Sequence, residues 1–424
     1  MTEDSITVTY RIESAGNIEA LAAKIASDQS TGTFVDLPNE TADLKARCAA
    51  RVAAIRPLAP SRTPGFPQAA EGLAGEAHFN RADVDIAFPL DVIGTDIAAL
   101  TTIALGGVFS IKGLAGIRIV GLQLPSSFIR AHPGPQFGIE GSRRLTGVRD
   151  RPLIGTIIKP NLGLTPEQTA EIAAELIAAD VDFIKDDEKL MSPRYSPVAA
   201  RVRAVMPLIH AREQKTGRRV MYAFGISSAD PDQMLRDHDI VADAGGNAAV
   251  ININSVGYGG LAFLRKRSRL VLHAHRNGWD ILTRHPGLGF DFDVYQMIWR
   301  MLGIDQFQIN GIGAKYWEPD DSFVQSFKDC TRPMLSPDDR ALPVVCSGQW
   351  GGQAPETYAR TGRTIDLMYL GGGGIIAHPG GPAAGVRAIR QAWEATVADI
   401  PLATYARDHG ELAQSLEKFG KMKL

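Results

Sequence analysis

The chain has 424 residues, of which 45% are hydrophobic and 22% charged, enough apolar material for a large core and more than one small domain holds. Its 45 basic and 47 acidic residues are interspersed and leave a formal charge of −2, which argues against nucleic acid or an anionic membrane as a partner and for a small molecule. Cys48, Cys330 and Cys346 stand far apart and in no metal-like spacing, so neither a disulfide framework nor a cysteine metal site is expected, and a reducing compartment is.

The first residues are acidic and lead into the alternating segment Ile6–Ile12, without the basic and apolar regions of a signal peptide, so the protein is expected to be soluble and cytoplasmic. Residues 1–140 mix alternating segments, Ile6–Ile12 and Ala77–Ala87, with helical ones, Ile18–Ser27 and Ile97–Leu105, and predict a small α+β domain. The apolar stretch Ile97–Ile111 carries Gly106 and Gly107 and falls short of the roughly 20 residues that span a bilayer, so it reads as buried helix. The proline-rich stretch Pro57–Pro67 reads as loop.

From about residue 150 short β-rich runs alternate with helical ones. The candidate strands are Leu153–Ile158, Asp182–Lys185, Val220–Gly225, Ala248–Asn252, Leu270–His275, Gln306–Asn310, Leu342–Ser347 and Ile365–Leu370. Eight such units point to an α/β fold of the (β/α)8 TIM-barrel kind rather than a doubly wound sheet. Thr165, Pro166 and Gln168 mark the first barrel helix with a cap, an N1 proline and a capping box. The tail after Pro401 reads as helical and packed outside the barrel, which makes residues 141–424 the second domain.

A TIM barrel builds its active site at the C-terminal ends of its strands, and polar residues end most of these candidates. The second ends Lys185-Asp186-Asp187-Glu188. Alternation puts Lys185 and Asp187 on one face, with Glu188 at the rim. Two carboxylates there suit a hard cation such as magnesium, and addition of CO2 to the lysine amine would supply a third anionic oxygen. Lys159 ends the neighbouring strand, where a nearby cation and partial burial would suit it to proton transfer. His275 and Arg276 end the fifth strand, Gln308 and Asn310 lie on the sixth, and Lys315 follows in the next loop. Ser347-Gly348 and the run Gly371–Gly374 present backbone N–H groups after strands seven and eight, where TIM barrels bind phosphate.

The segments Gly155-Thr-Ile-Ile-Lys-Pro-Asn-Leu-Gly163 and Asp182-Phe-Ile-Lys-Asp-Asp-Glu188 resemble the two defining segments of the RuBisCO large-subunit superfamily. Ser30-Thr-Gly-Thr33, Leu272-His-Ala-His-Arg276 and the last Gly-rich loop with His378-Pro379-Gly380 extend the resemblance over almost the whole chain. It implies an N-terminal ferredoxin-like α+β domain on a C-terminal barrel, and a homodimer in which one subunit's N-terminal domain covers its neighbour's barrel mouth. By match of motif, Lys185 would be the carbamylated ligand of Mg2+, with Asp187 and Glu188 the other two. Lys159 would be the proton-transferring lysine, His275 a catalytic-site histidine and Lys315 the lysine of a mobile loop. Arg276 and Ser347 match one phosphate site, and Thr33, Gly348, Gly372 and Gly373 the other.

This chain departs from the family pattern at particular positions. Asn161 stands for a lysine, Gln308 for the phosphate-binding histidine, Gly107 for an asparagine, Trp279 for a histidine, Gln349 for a glycine and Asp28 for a glutamate. The pattern is similar to a form IV RuBisCO-like protein, which keeps the metal site without the full carboxylation machinery. The expected reaction is decarboxylation or C–C cleavage of a 3-oxo sugar-acid phosphate such as 3-oxo-isoapionate 4-phosphate, with Asn161 and Gln308 among the substrate-binding residues. The alternatives are a methionine-salvage enolase or isomerase acting on a methylthio-sugar phosphate, and a non-catalytic scaffold or regulatory protein.

Overall fold

The computed structural model describes residues 4–33, 35–70 and 78–421. The chain divides into two compact units, Met1–His132 with Gly278–Met301, and Pro133–Asn277 with Leu302–Leu424.

The first unit carries strands β1 (Ser5–Ser14), β2 (Arg51–Ser61), β3 (Phe79–Pro89) and β4 (Gly116–Gln123). They pair antiparallel in the order β4-β1-β3-β2, the ferredoxin-like arrangement that the resemblance implies. Alternation buries Ile6, Val8, Tyr10 and Ile12 of β1, and the helix Ile18–Asp28 contributes Leu21, Ala22 and Ile25 to the same unit's core. Residue 77, the first of the alternating segment expected over residues 77–87, lies outside the described residues.

Two expectations are corrected here. The loop read over Pro57–Pro67 begins as strand, because β2 runs to Ser61. It lies at the sheet edge, where proline is tolerated because the strand pairs on one side only. The buried helix expected over Ile97–Ile111 is confined to Ile97–Ile103, and a short 3-10 turn, Gly107–Ser110, follows. The chain breaks between them at Gly106, where a Cβ would come within 2.9 Å of the Thr101 carbonyl oxygen. No helix among the described residues is long and apolar enough to cross a membrane.

The second unit is a closed barrel of eight parallel strands, β5 (Leu153–Ile157), β6 (Phe183–Lys185), β7 (Met221–Gly225), β8 (Ala248–Asn252), β9 (Val271–His275), β11 (Gln306–Ile309), β12 (Leu342–Val345) and β13 (Met368–Leu370). All eight predicted strands are present, within three residues at each end. One core cluster joins Leu153, Phe183, Met221, Val250, Val271, Val344 and Met368. Because strand side chains alternate, residues two and four further on reach the C-terminal mouth on that same inner side. Phe183 thereby sets Lys185, Val250 sets Asn252, and Val271 sets His273 and His275. The first barrel helix, Pro166–Ala178, has the expected capping box on Thr165 and Gln168.

Between β9 and β11 the chain leaves the barrel unit. Residues Gly278–Met301 belong to the first unit, where β10 (Leu288–Phe290) pairs parallel to β4. Arg118 of β4 fastens this segment by donating to Asp291 Oδ1 at 2.5 Å, Thr283 Oγ1 at 2.6 Å and Phe290 O at 2.7 Å. After Pro401 the tail is helical, with Leu402–Tyr405 and Gly410–Phe419, and the latter packs on the barrel helix Gly381–Val397.

Candidate active site

A cavity of about 360 Å3 opens in the barrel unit, within the range of small-molecule sites. Lys159, Glu188, His275, Gln308, Lys315, Ser347, Gly348, Gly372 and Gly373, all expected from sequence, line it. Lys185 and Asp187 lie beneath, essentially without solvent exposure.

Lys185 Nζ donates to Asp186 O at 2.9 Å and to Glu188 Oε2 at 3.2 Å. His275 Nε2 stands 3.4 Å from that same oxygen. Burial opposes ionisation of Glu188, but Lys185 and then His275 outweigh it and bring its carboxyl down to about 2. Burial, followed by the Lys185 charge, lowers His275 to about 3, so its imidazole is neutral near pH 7. Lys159 Nζ donates to Asp187 Oδ2 at 2.7 Å and to Asn161 Oδ1 at 2.5 Å. The asparagine that replaces a lysine of the family thus orients Lys159 without adding charge.

As it stands this cluster is lysine-rich. Among the described residues no group of three or more His, Cys, Asp or Glu could hold a metal ion. The Lys185 amine places positive charge beside Glu188, where a bound cation would need negative charge. A carbamate on Lys185 would reverse that sign and give three anionic oxygen donors, so the residues present fit a hard divalent cation in the carbamylated form.

Arg276 donates to Glu318 Oε2 at 2.5 Å and to Oε1 at 3.3 Å. Asn310 Nδ2 also donates to Glu318 Oε2, and Ser347 Oγ donates to Asn310 Oδ1 at 2.7 Å. Arg276 and Ser347 are therefore linked through Asn310 and Glu318. Ser347 and Gly348 have φ of +73° and +94°. A non-glycine residue held there carries of order 1 kcal/mol of strain, a cost usually met where a turn must present a particular group. Gly371 and Gly374 are packing glycines, since a Cβ would come within 2.7 Å of Ile389 at one and 2.3 Å of the Gln349 carbonyl oxygen at the other. Gly373 has open space at its Cβ position, and at Gly372 the nearest atoms are Ile157 Cδ1 at 3.7 Å and Lys159 Cε at 3.9 Å. Thr33 is exposed in the first unit.

Sequence reasoning passed over Asp186. It faces away from the barrel axis, accepts from Arg201 Nε at 3.1 Å, Tyr222 OH at 2.7 Å and Gly225 N at 2.9 Å, and is fully buried. Alternation on β6 signals its outward side, but nothing in the local sequence names its partners. The aromatic and C-terminal wall of the cavity, Tyr316, Trp350 and Phe419 with Lys418, was equally unforeseen.

Comparison with known proteins agrees with this arrangement. Residues 138–419 match the family described as ribulose bisphosphate carboxylase large chain, catalytic domain, and residues 1–128 match the N-terminal domain of that chain. A 3-oxo-isoapionate-4-phosphate decarboxylase of Rhizobium rhizogenes is 68% identical over 419 residues, covering 99% of each chain. A 3-oxo-isoapionate-4-phosphate transcarboxylase/hydrolase of Xanthobacter autotrophicus is 41% identical, over 94% of this chain and 95% of that protein. Among solved structures, a rubisco-like protein from Burkholderia fungorum superposes with a TM-score of 0.91 at 38% identity, covering 98% of this chain and 100% of the other.

Proposed function

Because the chain belongs to the RuBisCO large-chain family through both of its domains, we propose that it is a lyase that decarboxylates a phosphorylated 3-oxo sugar acid, with 3-oxo-isoapionate 4-phosphate the first candidate, and that it does not fix CO2. The observation that carries this reading is the 68% identity to the Rhizobium decarboxylase across 99% of both chains. The cluster of Lys159, Lys185, Asp187 and Glu188 at one barrel mouth supports it.

Lys185 as a carbamate, Asp187 and Glu188 would hold Mg2+, with water and substrate oxygens completing its preferred six. When bound, the ion would act as a Lewis acid on the 3-oxo group. The substrate loses CO2 as the bond between its carboxylate and the α-carbon breaks, and the electron pair passes to the 3-oxo oxygen as an enolate. Lys159, held by Asp187 and Asn161, then gives its proton to the α-carbon and regains one from solvent. Lys315 supplies positive charge at the cavity wall, and neutral His275 supplies a hydrogen-bonding group beside Glu188. The phosphate sits at Gly348, Gly372 and Gly373, with Thr33 contributed by a second copy in a homodimer. Gln308 and the linked Arg276 and Ser347 bind the other end of the substrate.

The test is 13C-NMR of the full-length protein with 3-oxo-isoapionate 4-phosphate, magnesium and bicarbonate. The expected result is CO2 release with one deuterium taken up at the α-carbon in D2O, lost on chelation and in Lys185→Ala. A carboxyl group that appears on a second product instead would favour the transcarboxylase/hydrolase reading taken from the Xanthobacter relative. No turnover by protein that still binds magnesium would overturn the proposal.

A further inference from the structure

Gln349 departs from the family glycine, and it is not among the residues lining the cavity. Its side chain is fully buried and crosses from the turn after β12 to the loop after β11. There Nε2 donates to Ile312 O at 3.1 Å. Its other amide atom, Oε1, lies 3.1 Å from the buried Tyr369 hydroxyl, whose single proton it shares with Trp350 O at 2.8 Å. Gly311 lets the two loops meet, since a Cβ there would lie 2.4 Å from Gln349 Cδ.

A second glutamine reinforces the contact. Gln353 Nε2 donates to the same Ile312 oxygen at 3.0 Å and reaches Gly313 O at 3.5 Å, while its Oε1 accepts from Trp350 N at 2.9 Å. Further along the loop, Gly313 N donates to Asp320 Oδ1 at 2.9 Å and Lys315 N to Ser347 O at 3.1 Å. From Ile312 to Lys315, then, the backbone is tied on both sides, although the Lys315 side chain itself is exposed.

We propose that Gln349 is a positioning residue for Lys315. Its amide, with that of Gln353, clamps the stem of the loop to the turn that also carries Ser347 and Gly348, so that Lys315 meets the substrate from a fixed stem. The resemblance implies a mobile loop at this place. Here the stem of that loop is fixed at Ile312 by the two glutamine amides. The clamp rests on the reading of Lys315 as a group that works at this cavity.

The test uses the full-length protein with Gln349→Met, which keeps the side-chain volume and removes the amide, and Gln353→Met as a second variant at a less buried position. Hydrogen exchange followed by mass spectrometry should show residues 311–315 opening about tenfold faster in either variant, the scale of a lost buried hydrogen bond, with β12 unchanged. In turnover, kcat should fall while KM holds, and Gln349→Met added to Lys315→Ala should cost nothing further, because Gln349 acts through Lys315. Wild-type exchange in both variants, or losses that multiply in the double variant, would overturn the clamp. If no sugar-acid phosphate is turned over, the exchange rates still decide the clamp, and the reaction assignment fails separately.

Discussion

Asparagine at position 186 would alter one atom of a side chain that never meets the substrate, yet it should be among the most damaging conservative changes in the barrel. Three donors, Arg201 Nε, Tyr222 OH and Gly225 N, converge on the two oxygens of Asp186. An amide has one oxygen, so at least one donor would face an NH2 group. Arg201 would also lose the carboxylate that neutralises it, with both side chains of that pair showing no exposure. Stranding one member of a buried ion pair costs about 3–5 kcal/mol. The side-chain shape is preserved, so no cavity cost is added. At roughly 2–3 °C per kcal/mol for a domain of this size, the barrel transition should fall by about 6–15 °C. The chain has two units, so the melt is best followed by calorimetry at fixed pH, with the two transitions resolved. Asp186→Asn combined with Arg201→Met should recover much of the loss, because the stranded charge is gone. A single-variant loss under about 1 kcal/mol would refute the reasoning, as would a double variant as unstable as the two losses summed.

Two other perturbations test the two units separately. Arg118→Ala should release the segment Gly278–Met301, which Arg118 holds through Asp291, Thr283 and Phe290; backbone exchange in β10 should rise while the β1–β3 pairing stays protected, and unchanged exchange in β10 would count against the anchor. His273 is stacked on Phe183 inside the barrel, and burial, then the Lys185 charge, lowers it to about 3 from the ordinary 6.5. The folded protein therefore keeps it neutral while the unfolded chain takes up a proton below pH 6.5. Its contribution to stability is present above that pH and is lost as the pH falls toward 3, at up to about 1.4 kcal/mol per pH unit. His273→Leu should flatten that part of the stability curve, measured by urea unfolding between pH 7 and pH 4, and an identical slope in the variant would remove His273 from the account.

The barrel was readable because its strands are covered on both faces and so appear as short apolar runs, each closed by a polar residue. Leu153–Ile157 ending before Lys159, and Phe183–Lys185 ending in Asp186-Asp187-Glu188, are both of this kind. β2 was not read as strand, because Pro57 and Pro60 look like loop unless the strand is known to be an edge. β10 was not readable at all. Three residues are too few to show a period, and a Cβ at Gly289 would meet the Leu282 carbonyl oxygen at 1.7 Å, with φ at +104°. Only the pairing with β4 makes Leu288–Phe290 a strand.

The site divides along the same physical line. Alternation along a strand is local, so Lys185 and Asp187 could be assigned to one inner face and Lys159 to the neighbouring strand end from sequence alone. Hydrogen bonds between loops are not local: Gln349 and Ile312 are 37 residues apart, and Arg276 and Glu318 are 42 apart. For that reason Gln349 registers in the sequence only as an absent glycine, and Glu318 does not register. Substitution of a family residue signals loss only when the new side chain does nothing in its place. Asn161 accepts from Lys159 and Gln349 holds the Ile312 carbonyl, so at both positions the departure from the family pattern installs a new contact beside a lysine of the site. A chemistry that keeps those lysines while changing what steadies them is what a shift of substrate within one family would require.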